Sequence, residues 1–419
     1  MDANIPLSGA SQAVSTWVAW RTLALLLLLN VMNVVDRNLP FILIESIRKD
    51  IPLSDTQIGL LGGVVFTLIY ALVSLPAARL ADRGNRTYLI SGAAVLWTAM
   101  TGAAALATSF LQLAVSRVGL AVGESAIQPA ATSLIADLFE RGRRTALSIY
   151  FVGTSLGIMV GLGLGGWVSD RYDWRTTFLV FAVVGLVIAL VFAATVREPV
   201  RTGAHAPVAE KGRWQALFAD PVFRHLAIAS AIFMFTTMSN AHFAPAFMIR
   251  RFSMTAGEAG LSFGVLMGFC GILGTLAGGV VTDRLAMRDP RLTLWAPAIA
   301  MGLAGPLFLA AWLAPRADVF LVLLVVPSFL AQMGTGPIVA AVQSAAGPQQ
   351  RATAVALLSF GMYAVGGALG PVVTGMISDA LKPQYGADSL RFGLGLGAVL
   401  LLWCAAHLIA AARAQGQRA

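Results

Sequence analysis

Charged side chains are scarce in this sequence. Only 12% of its 419 residues are Asp, Glu, Lys or Arg, whereas 58% are apolar. Soluble domains carry about 25% charged residues, so this composition excludes a soluble core of this size. It predicts a protein that crosses a membrane many times.

Cysteine and histidine are also rare. The two cysteines, Cys270 and Cys404, lie in apolar runs, which excludes a disulfide framework and predicts packing roles. The four histidines are scattered, and none belongs to a group with metal-ligand spacing: His205, His225, His242 and His407. We therefore expect no metal, no cofactor and no enzyme, although a membrane enzyme acting on lipids is a rival class.

Twelve apolar segments are each about long enough to span a bilayer as a helix. They lie near residues 20–46, 54–81, 86–108, 110–137, 144–168, 175–197, 223–250, 256–282, 291–313, 318–345, 351–377 and 389–412. An even number of spans places both chain ends on one side, which we call the terminal side. The start has neither a basic n-region nor an A-x-A site, which predicts a retained first helix.

The distribution of Lys and Arg predicts the orientation. The terminal side has 18 of them and the opposite side has 9, so the positive-inside rule places both termini in the cytoplasm. The net charge of +9 therefore reflects topology, and we expect no nucleic-acid partner.

The sequence contains an internal duplication with a spacing of 201 residues. Gly59 and Gly63 match Gly260 and Gly264, and Asp82-Arg83 matches Asp283-Arg284. A second pair of similar segments covers residues 143–170 and 350–379. The duplication predicts an all-α protein with two pseudo-symmetric six-helix halves, residues 1–196 and 223–419, joined by a cytoplasmic linker at 197–222.

Two predicted helices carry buried polar and charged residues. The first contains NVMNVVDRN at residues 30–38, and the fourth contains RVGLAVGESAIQ at 117–128. Each has a polar face, formed by Asn30, Asn33 and Arg37 in one helix and by Arg117, Glu124 and Gln128 in the other. A charge at mid-bilayer costs at least about 2.5 kcal/mol, so these residues and Asp36 predict a polar pathway inside the bundle. A static buried ion pair is the alternative.

The chain resembles the major facilitator superfamily. The resemblance rests on twelve helices in two halves, on ARLADRGNR after the second helix, and on its weaker copy GGVVTDRLAMR after the eighth. Asp137, Arg144 and Trp174-Arg175 also match, whereas Ala78 and Asn85 replace the usual glycines. Asp36-Arg37, DRGNRTYLI and RVGLAVGESA further resemble the Spinster family. That resemblance implies transport of lysophospholipids or sphingolipids, in some members with proton coupling.

The resemblance also implies gating groups on the terminal side. Asp82 would face the start of helix 11 near Arg351, and Asp283 would face the start of helix 5 near Arg144. The expected gating set is Asp82, Arg83, Arg86, Asp137, Arg144, Asp283, Arg284 and Arg351. The alternative is that these charges only follow the positive-inside rule.

The two halves differ in character. All four buried charges lie in the first half, whereas the second half is rich in Phe233, Phe235, Met238, Phe243, Phe247, Met267, Phe360 and Tyr363. We expect a central cavity with one polar and one apolar wall, in which Arg37, Arg117, Asn33 and Gln128 bind a lipid-like anion. A proton-driven exporter of hydrophobic drugs or other organic solutes is the alternative, and a channel fits the duplicated halves less well.

Asp36 and Glu124 form the predicted proton-coupling pair. They lie at similar depth, roughly 16 and 20 Å from the opposite-side ends of their helices. Their protonation would depend on hydration and on which arginine is near. The alternative is a permanent salt bridge with Arg117. We expect a monomer in the cell inner (plasma) membrane.

Overall fold

The computed structural model describes residues 16–139, 142–199, 214–346 and 350–416. Twelve helices in this part are long and apolar enough to cross a membrane. They are α1 Thr16–Asp50, α2 Asp55–Arg83, α3 Arg86–Ala105, α4 Phe110–Leu138, α5 Arg143–Arg171, α6 Trp174–Thr195, α7 Pro221–Phe252, α8 Ala256–Arg288, α9 Trp295–Trp312, α10 Ala317–Ala345, α11 Thr353–Asp388 and α12 Leu390–Gly416. The predicted all-α architecture is confirmed.

Four of these helices are interrupted. α2 and α11 contain π-helical segments at Gly63–Leu68 and Met362–Gly367. α4 is divided at Ala126, and α10 is divided between Gln332 and Thr335. Such breaks in membrane helices occur where the backbone faces protein or a cavity instead of lipid.

α1–α6 and α7–α12 form the two pseudo-symmetric halves. Within the first half, α1 packs along α5, where Asn30 Nδ2 donates to the backbone oxygen of Tyr150 at 2.8 Å. Within the second half, α7 packs along α12. The predicted linker includes a short helix, Trp214–Ala219, while residues 200–213 lie outside the described part. The exact boundaries of the halves stay a prediction.

The halves meet where α2 crosses α11 and where α5 crosses α8. The duplicated glycines permit both crossings. A Cβ atom on Gly59 would lie 2.3 Å from the backbone oxygen of Pro371, and one on Gly260 would lie 2.0 Å from that of Leu162. Only glycine allows backbones to approach this closely, so the repeat encodes the contact between the halves.

The starts of α2 and α8 are also equivalent. Ser54 and Thr255 form capping boxes with Gln57 and Glu258, again 201 residues apart. A cap of this kind satisfies the N–H of the third helical residue and leaves those of the first two residues free. Carboxylates from the other half accept hydrogen bonds from these free N–H groups.

Asp379 and Asp170 bind these helix starts across the halves. Asp379 of α11 accepts from the backbone N–H groups of Asp55 and Thr56 at 2.9 and 2.8 Å. Asp170 of α5 accepts from those of Ala256 and Gly257 at 3.1 and 2.7 Å. We call these two carboxylates and the helix starts they bind the opposite-side closure.

Toward the terminal side the halves separate. The end of α2 (Ile69–Arg83) packs mainly against α3, α4 and its own π-segment. The helical segment Arg351–Gly361, which includes the start of α11, packs mainly against other elements of the second half. The structure is therefore closed on the opposite side and accessible from the terminal side.

Candidate functional site

A cavity of about 380 Å³ lies between the halves. α1, α2 and α5 line it from the first half, and α7–α11 line it from the second. Arg37 is the one Asp, Glu, Lys or Arg side chain in the described wall of this cavity. Its position on α1 makes it the charged centre of the candidate site.

Arg37 is held by Glu124 of α4. Its Nη2 and Nε atoms donate to Glu124 Oε2 at 2.8 and 3.1 Å. Asn33, one turn earlier on α1, accepts from Arg37 Nη2 at 3.3 Å. The Arg37 side chain is 30% exposed, whereas that of Glu124 is fully buried. The guanidinium is therefore the part of the ion pair that a ligand in the cavity can reach.

Aromatic rings support the guanidinium of Arg37. Its Cζ lies 5.2 Å from the ring centre of Phe66 and 5.0 Å from that of Tyr70, both on α2. Tyr363 of α11 approaches Tyr70 from the other half, with ring centres 6.5 Å apart. These rings place the charge at a boundary that both halves share.

Arg117 is buried behind this wall. It donates to the backbone oxygens of Asp36 and Arg37 at 3.3 and 3.2 Å, and its Cζ lies 4.5 Å from the ring centre of Phe66. It is absent from the described lining of the large cavity. In this conformation Arg117 is thus placed to hold the backbone of α1 and has no direct access to the large cavity.

Asp36 faces a separate cavity. This cavity measures about 20 Å³ and is lined by Asp36, Arg117, Thr101 and Ser116, together with apolar residues of the first half. The carboxylate of Asp36 makes no hydrogen bond of normal length in the described chain, and Thr101 and Trp97 are the side-chain donors near it. The two predicted proton-coupling carboxyls therefore differ in their surroundings: Glu124 is buried and binds Arg37, which lines the large cavity, whereas Asp36 lines the small one.

Gln128 departs from the expected face of α4. The helix breaks at Ala126, whose N–H bonds to the oxygen of Gly123, three residues earlier. Such a turn is tighter than an α-helical turn and shifts the phase of the following residues. Gln128 is consequently exposed and lines neither cavity described above, so the face expected from Arg117 through Glu124 does not continue to it.

The wall from the second half differs from the expected apolar surface. It does contain Met238, Met267 and Tyr363, whereas Phe243 and Phe247 are buried in the core and Phe360 is exposed. It also contains six other polar side chains, Thr237, Asn240, His242, Thr275, Ser328 and Gln332. The predicted asymmetry of full charges is present, and the wall from the second half is mixed, with these polar side chains set among a larger number of apolar ones.

Comparison with known proteins identifies the family. The sequence profile of the Major Facilitator Superfamily matches residues 26–371. The chain belongs to this superfamily. It is 35% identical over 396 residues to an MFS-type efflux pump from Mycolicibacterium smegmatis, with 94% of this chain and 91% of that protein covered. It is 27% identical to the sphingosine-1-phosphate transporter SPNS2 of Danio rerio, with 89% and 79% covered.

Solved structures support the same assignment. A bacterial homologue of the human lysosomal transporter Spinster, in an inward-facing and unoccupied conformation, superimposes with a TM-score of 0.87 at 27% identity. The match covers 96% of this chain and 99% of that one. The predicted superfamily and the resemblance to Spinster are confirmed, and this superfamily member is a multi-pass membrane transporter and not an enzyme.

The expected gating residues of this superfamily member lie at the terminal side. Arg86 is buried and binds Asp137 of the first half and Glu198 at the start of the predicted linker, at 2.6 Å each. The remaining described members are exposed: Asp82, Arg83, Arg144, Asp283 and Arg284. Arg144 and Asp283, which were expected to face each other, share no hydrogen bond or ion pair in the described chain. The side chain of Arg351 lies outside the described part. Their gating roles stay predictions, because this side is open.

Sequence reasoning missed the charged groups that join the halves at the opposite side. Asp55 is fully buried at the start of α2 and accepts from Arg250 of α7 at 2.8 and 2.9 Å. Arg250 also binds Glu45, and Ser378 of α11 donates to Asp55 at 2.7 Å. For Asp170 and Asp379, the other two carboxylates at this side, a sequence signal was available, because the second pair of duplicated segments ends in these two residues.

Proposed function

We propose that this chain is a proton-coupled secondary active transporter that moves a lipid-like amphiphilic anion by alternating access. One observation carries the proposal: the described wall of a largely apolar cavity contains a single full charge, the accessible guanidinium of Arg37. An anionic head group is the ligand chemistry that such a site favours. An apolar tail suits the remaining surface.

Competition for Arg37 would couple the substrate to a proton. Glu124 neutralises Arg37 in the absence of an anion. A bound anion takes over that role, and the Glu124 carboxylate, buried and released from Arg37, then takes up a proton. Asp36 contributes a second protonation site from its separate compartment beside Arg117. Arg117 and Asn33 keep the helix and the ion pair in position.

The positive-inside rule gives the orientation. With the terminal side cytoplasmic, the open cavity faces inward and the opposite-side closure lies outside. We expect a monomer in the cell inner (plasma) membrane. Gln128 and the terminal-side gating residues would act in the other conformation, when that side closes.

Binding and transport with matched variants test this function. The purified full chain should be stabilised by lysophospholipids, sphingoid phosphates or fatty acids, and Arg37→Gln should abolish that effect. Glu124→Gln and Asp36→Asn should retain binding and lose the pH dependence of uptake into proteoliposomes. Asp318→Asn is the control, because Asp318 is an exposed carboxyl whose partner in the described chain is Arg316, two residues earlier. Wild-type pH dependence in both variants would contradict the coupling role.

Export of hydrophobic organic compounds is the second candidate. The 35% identity to a protein named as an efflux pump favours it. Such substrates are cationic or neutral and have no need of Arg37. Stabilisation by cationic or neutral compounds that persists in Arg37→Gln would therefore support export and reject the anionic substrate.

A further inference from the structure

Three polar side chains of the second half line the cavity without satisfying their hydrogen bonds. Asn240 and His242 lie on α7, and Ser328 lies on α10. They are 9%, 5% and 4% exposed. Asn240 Oδ1, His242 Nδ1 and Ser328 Oγ each lack a hydrogen-bond partner in the described chain.

Such groups are costly inside a membrane bundle. A buried polar atom without a partner costs about 1–3 kcal/mol, and lipid offers no partner. Some neighbouring polar side chains avoid this cost: Thr237 donates to the backbone oxygen of Phe233, and Thr374 donates to Ser239. Trp312 Nε1, in the same cavity wall, is also without a partner in the described chain. Asn240, His242 and Ser328 belong to residues that line the cavity, so a polar group of a bound ligand can become their partner once these side chains turn toward it.

Their depth matches that of Arg37. Asn240 and His242 lie about 15–18 Å from the opposite-side end of α7, and Ser328 lies about 16 Å from that end of α10. Arg37 lies about 20 Å from the same end of α1. The three side chains thus lie at the same depth as Arg37, on the opposite wall of the cavity. They would face the head group of an anion bound to Arg37 and not the far end of its tail.

We propose that Asn240, His242 and Ser328 form a neutral polar subsite that binds an uncharged hydroxyl or amide group next to the anionic head of the substrate. This inference rests on the proposed function. Amide, imidazole and hydroxyl groups can both donate and accept, which fits a neutral partner. No Asp, Glu, Lys or Arg of the second half lines this wall in the described chain, so a second full charge would remain unpaired there.

The subsite narrows the substrate class. A saturated fatty acid satisfies Arg37 but leaves the subsite unpartnered. An amphiphile with one anionic group and a nearby hydroxyl or amide satisfies both. Sites built to bind a hydroxyl discriminate against analogues that lack it, because the polar groups of the site then remain unpaired.

A matched set of ligands tests the subsite. The probes are 1-palmitoyl lysophosphatidic acid, its 2-deoxy analogue, and the deoxy analogue with a hydroxyl at the end of the acyl chain. Titration calorimetry on the full chain in nanodiscs should give a Kd at least about threefold lower for the first than for the other two. Asn240→Leu and Ser328→Ala should each reduce this preference. Thr237→Val, at a lining residue whose hydroxyl is satisfied within α7, should leave it unchanged.

The outcomes separate the subsite from the proposed function. Equal affinity for all three probes, with binding still lost in Arg37→Gln, would overturn the subsite and leave the anion site standing. Binding of none of them by folded wild-type protein would overturn both. If one of the two variants fails to fold, the other measures the same preference.

Discussion

Asp379→Asn should open the opposite side of the transporter. The carboxylate of Asp379 accepts from two backbone N–H groups at the start of α2 and from the Thr56 hydroxyl at 2.6 Å. Hydrogen bonds to a charged group are worth about 1.5–3 kcal/mol each. Asparagine keeps one acceptor and loses the charge that the helix N-terminus favours. Because the site is partly solvated, we expect a net loss of about 1.5–3 kcal/mol.

That loss corresponds to a roughly 10- to 150-fold shift toward the conformation open on the opposite side. Spin labels at Tyr172→Cys and Gln384→Cys report it, because these exposed positions follow α5 in the first half and end α11 in the second. The native Cys270 and Cys404 are buried and should not react. Double electron–electron resonance should show a longer distance population in Asp379→Asn than in wild type.

Two comparisons make the result decisive. Asp170→Asn should produce a smaller shift in the same direction, since Asp170 is more exposed than Asp379 and its bonds are more screened. Asp318→Asn removes a carboxyl on the same side that has no contact with the other half, and should produce none. An unchanged distance distribution in Asp379→Asn, or an equal shift in Asp318→Asn, would refute the closure.

Three further substitutions test the packing. Gly260→Ala should force α8 away from α5, and so lower the melting temperature or open the opposite side. Gly271→Ala is the control and should do neither, because no atom lies within 4 Å of its added Cβ. Equal effects of the two substitutions would contradict the close crossing of α8 and α5. Arg86→Gln should destabilise by about 3 kcal/mol in denaturant unfolding because two carboxylates lose their partner, and Arg83→Gln should be near neutral. Asn30→Leu should cost about 1 kcal/mol in the same assay, and no loss would show that its bond to α5 contributes nothing.

The sequence predicted the helices and the charged site because both depend on local patterns. Apolar runs define the spans, and Arg37 and Glu124 stand out because charge in such runs is costly. Their helix faces placed both near the cavity, but the salt bridge considered from the sequence had Arg117 as the partner, whereas the structure pairs Glu124 with Arg37. The local break at Ala126 left no comparable pattern, so the position of Gln128 was not foreseen.

Contacts between distant segments were harder to predict. Asp55 lies at the start of α2, and nothing near it in the sequence indicated that Arg250, 195 residues later, would share its carboxylate. The polar side chains within the second-half wall were missed for a related reason. Ser328 and Asn240 are single polar residues in apolar helices, and which face of each helix turns to the cavity is set by tertiary packing.

The π-helical segments of α2 and α11 have a consequence for how the cavity changes shape. They lie against each other, since a Cβ on Gly63 would be 2.3 Å from the backbone oxygen of Ala368. A π-turn holds one residue more than an α-turn, so returning it to α-helix turns the adjoining helix by about 100° and moves it by about 1.5 Å. Tyr70 follows one segment and Tyr363 lies within the other. A register step at this crossing would therefore rotate both tyrosines relative to Arg37 without unfolding a helix. A structure open on the opposite side that keeps both π-segments would exclude this step. One extra residue in each half would thus let the transporter reorient two side chains at its binding surface while its helices stay folded.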